Sequence, residues 1–310
     1  IMNYSLFKDN AWTYDATNPA DASEIFGGAS YMGHTTENNT LTVTNTSAAR
    51  WVDKAYGGKT AGAVGDAKNN KVIVEATNAS KGIEYVHGGA VLNAGNAGTV
   101  TGNSVALKSG KFGAVYGGSS AGTGAVGGAA DGAGNTLTLE NGAVNDKLYG
   151  GYISNADSTA DVTGNKVTVK NGTFDGIYGG YTEGKGSANR NTVTIDGGWN
   201  DGSNYVYGGY AKGANGADGA NAEYNTVTVN ATKAGEDGLN TVYGGRSAYN
   251  GNASHNTVNI NGGVMKNVYG GTADNMNAYG TGQASNNTVT ITGGTIGTGY
   301  GNGYVYGGTT

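Results

Sequence analysis

The chain has 310 residues, of which 60 are glycine, one is proline and none is cysteine; 13% are charged and the formal net charge is −5. These numbers exclude a collagen, which needs proline in a strict triplet, and any disulfide scaffold, thiolate metal site or thiol nucleophile. The 18 lysines and arginines form no basic block, so nucleic acid is not an expected partner, and no apolar run approaches the ~18 residues of a membrane helix, so no membrane insertion is expected.

Residues 1–24 stand apart from the rest of the chain. They hold Tyr4, Phe7, Trp12, Tyr14 and the single proline, Pro19, and read as an N-terminal cap or an incomplete first coil. From residue 25 to 310 the sequence repeats. An apolar–aromatic–Gly–Gly tetrad recurs ten times, with first glycines Gly27, Gly57, Gly88, Gly117, Gly150, Gly179, Gly208, Gly244, Gly270 and Gly307. The aromatic is Phe26, then Tyr56, Tyr116, Tyr149, Tyr178, Tyr207, Tyr243, Tyr269 and Tyr306, and His87 takes the place in the third copy. The residue before it is always apolar, Ala55 being the smallest. Between tetrads lies a second landmark, an asparagine followed by an alternating strand such as NTVTI. These are Asn39, Asn70, Asn103, Asn135, Asn165, Asn191, Asn225, Asn256 and Asn287. Both landmarks have a mean spacing of about 31 residues, the signature of a repeat architecture.

Each unit reads in the same order: tetrad, polar loop of variable length, alternating strand, tight turn, and a short strand into the next tetrad. In Asn165-Lys166-Val167-Thr168-Val169-Lys170 the lysines must face water, which turns Val167 and Val169 inward. Val193/Ile195, Val227/Val229, Val258/Ile260 and Val289/Ile291 share that register. Helical spacing is absent, and glycine in every stretch would penalise a helix by about 1 kcal/mol each. One such unit cannot bury its apolar face, whereas stacked copies can. The expectation is an all-β, right-handed parallel β-helix of about ten coils. At about 4.8 Å per rung it would be on the order of 48 Å long. A β-roll or a stack of hairpins is the alternative. Equivalent asparagines would then form a ladder, and the glycines would permit a bend or a close approach.

The VYGG, NTVTINGG, VYGG succession, clearest in Asn165 to Gly180, Asn191 to Gly209 and Asn256 to Gly271, resembles the passenger repeats of bacterial autotransporters (type V secretion). The resemblance covers roughly residues 25–310. It implies a β-helical stalk or adhesin exported to the extracellular, outer-membrane surface of a bacterium, with little cysteine. Neither a signal peptide nor a translocator barrel is visible in the sequence. A segment of a longer passenger is therefore expected, or a filament subunit joining end to end through a terminal tetrad, Val305-Tyr306-Gly307-Gly308, that carries no polar cap. A host-cell glycan or protein receptor is the partner such a segment implies.

Motifs for other chemistry are weak. Gly122-Thr123-Gly124-Ala125-Val126-Gly127 matches GxGxxG but opens no helix. Gly57-Gly58-Lys59-Thr60 has Asp53 where a P-loop needs its leading glycine. Gly128-Ala129-Ala130-Asp131-Gly132 has one carboxylate where a calcium roll needs a series. The 23 acidic residues fall mostly in loops; Asp21 with Glu24, and Glu236 with Asp237, are the close pairs. The three histidines, His34, His87 and His255, lie far apart. The expectation is therefore a non-enzymatic chain without catalytic residues, metal or cofactor. Thr-x-Thr pairs such as Thr192/Thr194 suggest an ice-binding array, but Lys71, Lys166, Lys170, Ser104 and Ala106 interrupt it, and threonine favours strands anyway. The candidate functional set is the aromatic row of the tetrads, with Tyr152, Tyr181 and Tyr210 beside it. Alternation turns these rings outward, either as a self-packing ladder or as a wall for sugar rings or a partner protein.

Overall fold

The structure, a computed structural model, describes residues 8–15, 23–45, 52–77, 82–199, 205–213, 219–232, 238–274, 281–297 and 303–310. These form a parallel β-solenoid. No helix is present among them. Every strand pairing between coils is parallel, which excludes stacked hairpins. The NTVTI-type strands, from Ala11–Asp15 to Thr288–Ile291, make a ten-stranded sheet. The tetrad strands, from Glu24–Ser30 to Tyr304–Thr309, make a second sheet, and six two-residue strands between Thr36–Glu37 and Ala188–Asn189 make a third. About eight turns of ~31 residues are complete, and the outermost rungs belong to coils open on one side. Within residues 1–24, the described strand Ala11–Asp15 pairs with Thr40–Asn45, in register up to Tyr14 with a one-residue shift at Asp15, and so adds a rung to the first sheet.

The period-two reading holds in detail. Leu41, Val72, Val105, Leu137, Val167, Val193, Val227 and Val258 form one buried row and Val43 to Ile260 the next, facing the tetrad row from Ile25 to Val268 across a single core. Lys71 and Lys166 stand exposed on the other face. Under the third sheet lies a smaller core of Ala67, Val91, Val100, Val126, Ile153 and Val162, which narrows to alanines (Ala188, Ala211, Ala220, Ala222) in later coils. The GxGxxG stretch is a bend leading into the strand Val126–Gly127.

The asparagines and the glycines meet in one place. Each ladder asparagine is fully buried from Asn39 to Asn256. Asn165 is representative. Its Oδ1 accepts from the Asn135 backbone N–H at 3.1 Å and from Asn135 Nδ2 at 2.9 Å. Its Nδ2 donates to Asn191 Oδ1 at 3.0 Å and, back across the coil, to the Val126 carbonyl at 3.2 Å. Both lone pairs and both amide hydrogens are used, which is the condition for a polar group inside a core. The amide lies flat on the second glycine of a tetrad. A Cβ on Gly118 would stand 2.5 Å from Asn135 Nδ2, and one on Gly117 2.5 Å from the Gly150 carbonyl of the next coil. No other residue type leaves that space open.

Asn165→Ala would strand two buried donors of Asn135, at about 1–3 kcal/mol each, so the chain should lose roughly 2–6 kcal/mol in denaturant unfolding. Asn141→Ala, in an exposed turn, should stay within about 0.5 kcal/mol. Val167→Asp, placing an unpaired charge in the core, should lower the melting temperature sharply; an unchanged melt would refute the inward register.

Candidate functional site

The aromatic row becomes a continuous column on the outer face of the second sheet. Backbone register aligns Phe26 with Tyr56, and the sequence continues through His87, Tyr116, Tyr149, Tyr178, Tyr207, Tyr243, Tyr269 and Tyr306. From Tyr56 onward successive ring centroids lie 4.6–5.3 Å apart with tilts of 2–20°. From Ile25 to Val268 the apolar residue before each ring points into the core, so the rings do point outward. From Tyr56 to Tyr269 they are nonetheless half-buried or buried, Tyr207 being 2% exposed, while the end rings Phe26 and Tyr306 are exposed.

The residue directly after Gly-Gly forms a second column, because the two bare glycines let both outward side chains lean over the corner. Tyr152 and Tyr181 stack there at 5.5 Å, and Tyr210 lies tilted against Tyr181 at 5.2 Å. Each also closes on its tetrad partner: Tyr149–Tyr152 at 5.0 Å, Tyr178–Tyr181 at 5.1 Å and Tyr207–Tyr210 at 5.1 Å. All three flanking tyrosines therefore belong to one aromatic body with the main row. Desolvation raises the phenol pKa of the column tyrosines from Tyr56 to Tyr269, to about 12 at Tyr152 and Tyr178, so these hydroxyls keep their protons at ordinary pH.

Cations occupy the same second column elsewhere, which the tyrosine pattern alone does not disclose. Lys59 lies 5.0 and 5.4 Å over the rings of Tyr31 and Tyr56, and its Nζ reaches Glu24 at 2.5 Å. Arg246 lies 5.3 Å over Tyr210 and 5.8 Å over Tyr243, donates to the Tyr207 hydroxyl at 3.1 Å and pairs with Asp274 at 2.5 Å. The sequence does carry the signal: both cations stand directly after Gly-Gly, as the flanking tyrosines do. A tenth ladder member, Asn10, escapes the repeat pattern. Its Nδ2 donates to Asn39 Oδ1 at 2.7 Å. The strand after it is Ala11-Trp12-Thr13-Tyr14, aromatic where the others are aliphatic.

The geometry decides what this face can do. Stacking along the solenoid axis covers both faces of each interior ring with its neighbours. Sugar stacking needs a free ring face, and of the two arrangements the sequence offered the row has the geometry of the self-packing ladder, whose interior rings present only edges and hydroxyls to solvent. Nor does the face resemble an acid/base site. Among the described residues no three of His, Cys, Asp or Glu gather as a metal site. Glu24 is engaged with Lys59, while Asp21, Glu236 and Asp237 lie outside the described residues. An open cleft of about 600 Å³ at the turn edge, between Lys111, Asn141, Asn171 and Trp199, is lined by no carboxylate or histidine.

No family model, curated protein or solved structure matches the chain. The class is therefore set by architecture: a parallel β-solenoid with an internal asparagine ladder and an external aromatic column.

His87 gives the column a pH dependence. Burial first, then Lys54, lowers its pKa from 6.5 to about 3. Between those values the unfolded chain binds a proton that the folded chain does not, so folding stability falls as pH drops below 6.5. His87→Tyr should remove this contribution. The wild type should lose on the order of 1–2 kcal/mol more than the variant between pH 6.5 and pH 5, measured by denaturant midpoints. Parallel pH curves would refute a buried neutral imidazole.

Proposed function

We propose that the chain is a non-catalytic structural segment of an exported bacterial surface protein, a stalk that holds an adhesive element away from the cell. The observation that carries this is the uninterrupted amide ladder from Asn10 to Asn287, hydrogen-bonded along the solenoid axis at every coil. Axial bonds of this kind make a stiff rod, and a rod is what a spacer requires. The VYGG and NTVTI repeats support the autotransporter-like setting. The absence of cysteine suits a protein that must pass a membrane unfolded. The covered ring faces favour the stalk over direct glycan capture.

The test pairs shape with binding. Small-angle scattering of the purified chain should give a rod of on the order of 48 Å that stays monomeric on concentration, and host cells and an immobilised glycan panel should bind it no better than a control. Saturable binding abolished by Tyr149→Ser or Tyr178→Ser would instead make the segment itself an adhesin. Concentration-dependent growth in scattering would make it a filament subunit.

A further inference from the structure

The chain has no cysteine and four methionines against 21 tyrosines, so little sulfur is present to absorb oxidants. Eleven of the tyrosines stand in the two columns, where electrons can pass between rings about 5 Å apart. A phenol gives up an electron most readily where a base stronger than water stands ready to take its proton. The hydroxyls of the column differ in that respect. Tyr207 and Tyr31 face cations, accepting from Arg246 and Lys59 at 3.1 and 3.2 Å. Among the described residues, Tyr181 is the tyrosine whose hydroxyl donates to a carboxylate, reaching Glu183 Oε1 at 2.8 Å. That distance is within the range for direct proton transfer. The other oxygen of Glu183 is held by Lys212 Nζ at 2.5 Å, which fixes the carboxylate in place. Tyr181 also touches four other rings, Tyr149, Tyr152, Tyr178 and Tyr210, at 5.9, 5.5, 5.1 and 5.2 Å.

We propose that Tyr181 and Glu183 form a redox site at which the aromatic column collects one-electron oxidation. The co-reactant is a one-electron oxidant in the surrounding solution, such as the oxidised haem of a peroxidase. It removes one electron from a ring of the column. The O–H bond of Tyr181 breaks, its proton passes to Glu183 Oε1, and its electron fills the hole on the neighbouring ring. A neutral tyrosyl radical remains on Tyr181, with Glu183 as the neutral acid beside the Lys212 ammonium. The oxidant is reduced by one electron and no other bond changes. The site thereby confines oxidative damage to one outward ring and spares the inward rows. Burial and Glu183 together raise the Tyr181 pKa, so the group oxidised is the intact phenol and not a phenolate.

The whole chain is oxidised by photogenerated tris(bipyridine)ruthenium(III), freeze-quenched for electron paramagnetic resonance, and in parallel trapped with a nitrone and mapped by peptide mass spectrometry. Tyrosyl signal with the adduct concentrated on Tyr181 is expected. Glu183→Gln, which keeps the shape but cannot take the proton, should lower the Tyr181 adduct at least about tenfold. Lys212→Ala breaks the same ion pair but leaves the carboxylate, and should lower the adduct less than Glu183→Gln does. The difference separates proton acceptance from loss of the ion pair, and circular dichroism verifies the fold of each variant. Adducts spread evenly along the column, or a Tyr181 yield unchanged in Glu183→Gln or lowered as far in Lys212→Ala, would overturn the proposal.

Discussion

The asparagine amides occupy a space that exists only because the two residues opposite them are glycine, and the shape of every coil depends on that fit. A side chain on either glycine would strike the amide or the carbonyl of the next coil. An asparagine missing from the corner would leave its neighbours' buried donors bare. The two landmarks of the repeat are thus the two halves of a single contact, which is why they share a period. The ladder also has a direction. Each amide donates forward to the next asparagine and backward to the preceding coil's main chain, so the bonds polarise one another along the axis.

That contact sets the register of everything else. Once the corner is fixed, the alternating strand must put its valines inward and its threonines or lysines outward, and the tetrad aliphatic must meet them across the core. The corner also brings the residue after Gly-Gly beside the ring before it. Nothing in the tyrosines themselves demands two converging columns; the bare corner does. The backbone contributes too. A left-handed residue stands directly before nearly every ladder asparagine, including Asn38, Asn69, Arg190, Tyr224, His255 and Asn286, at φ of 52–58°. For these non-glycine residues the conformation costs on the order of 1 kcal/mol, and the four bonds of the amide it aims inward offset that cost.

Much of this was legible in the sequence because a stacked repeat writes its three-dimensional columns as a linear period. The parallel solenoid, the asparagine ladder and the inward rows followed from position alone. Three features did not. Asn10 was hidden because its strand carries Trp12 and Tyr14, so a rule requiring aliphatics passes over it. The left-handed residues are chemically unrelated, since only backbone angle unites Arg190 with Tyr224. Whether the rings pack on one another or stand as an open wall stayed undecided, because it depends on an inter-coil distance that no single unit contains. Alternation placed the rings outward, and only stacking at about 5 Å shows that outward does not mean available.

The inner and outer columns obey different rules. An inner position fixes residue identity, because an amide with two donors and two acceptor sites has no substitute of the same size, and only glycine fits the corner. The main outer column demands only a planar ring of similar depth, which is why His87 continues it between Tyr56 and Tyr116 at 4.8 and 4.6 Å. The position after Gly-Gly demands still less. It takes Ala90, Ser119, Lys59, Tyr152 or Arg246 while the register runs on unchanged. Stability is therefore settled inside and leaves that second column free to vary in charge and chemistry from coil to coil. The cation–ring contacts of Lys59 and Arg246 and the Tyr181–Glu183 pair all lie on it, so the chemistry that distinguishes one coil from another is to be sought along that line.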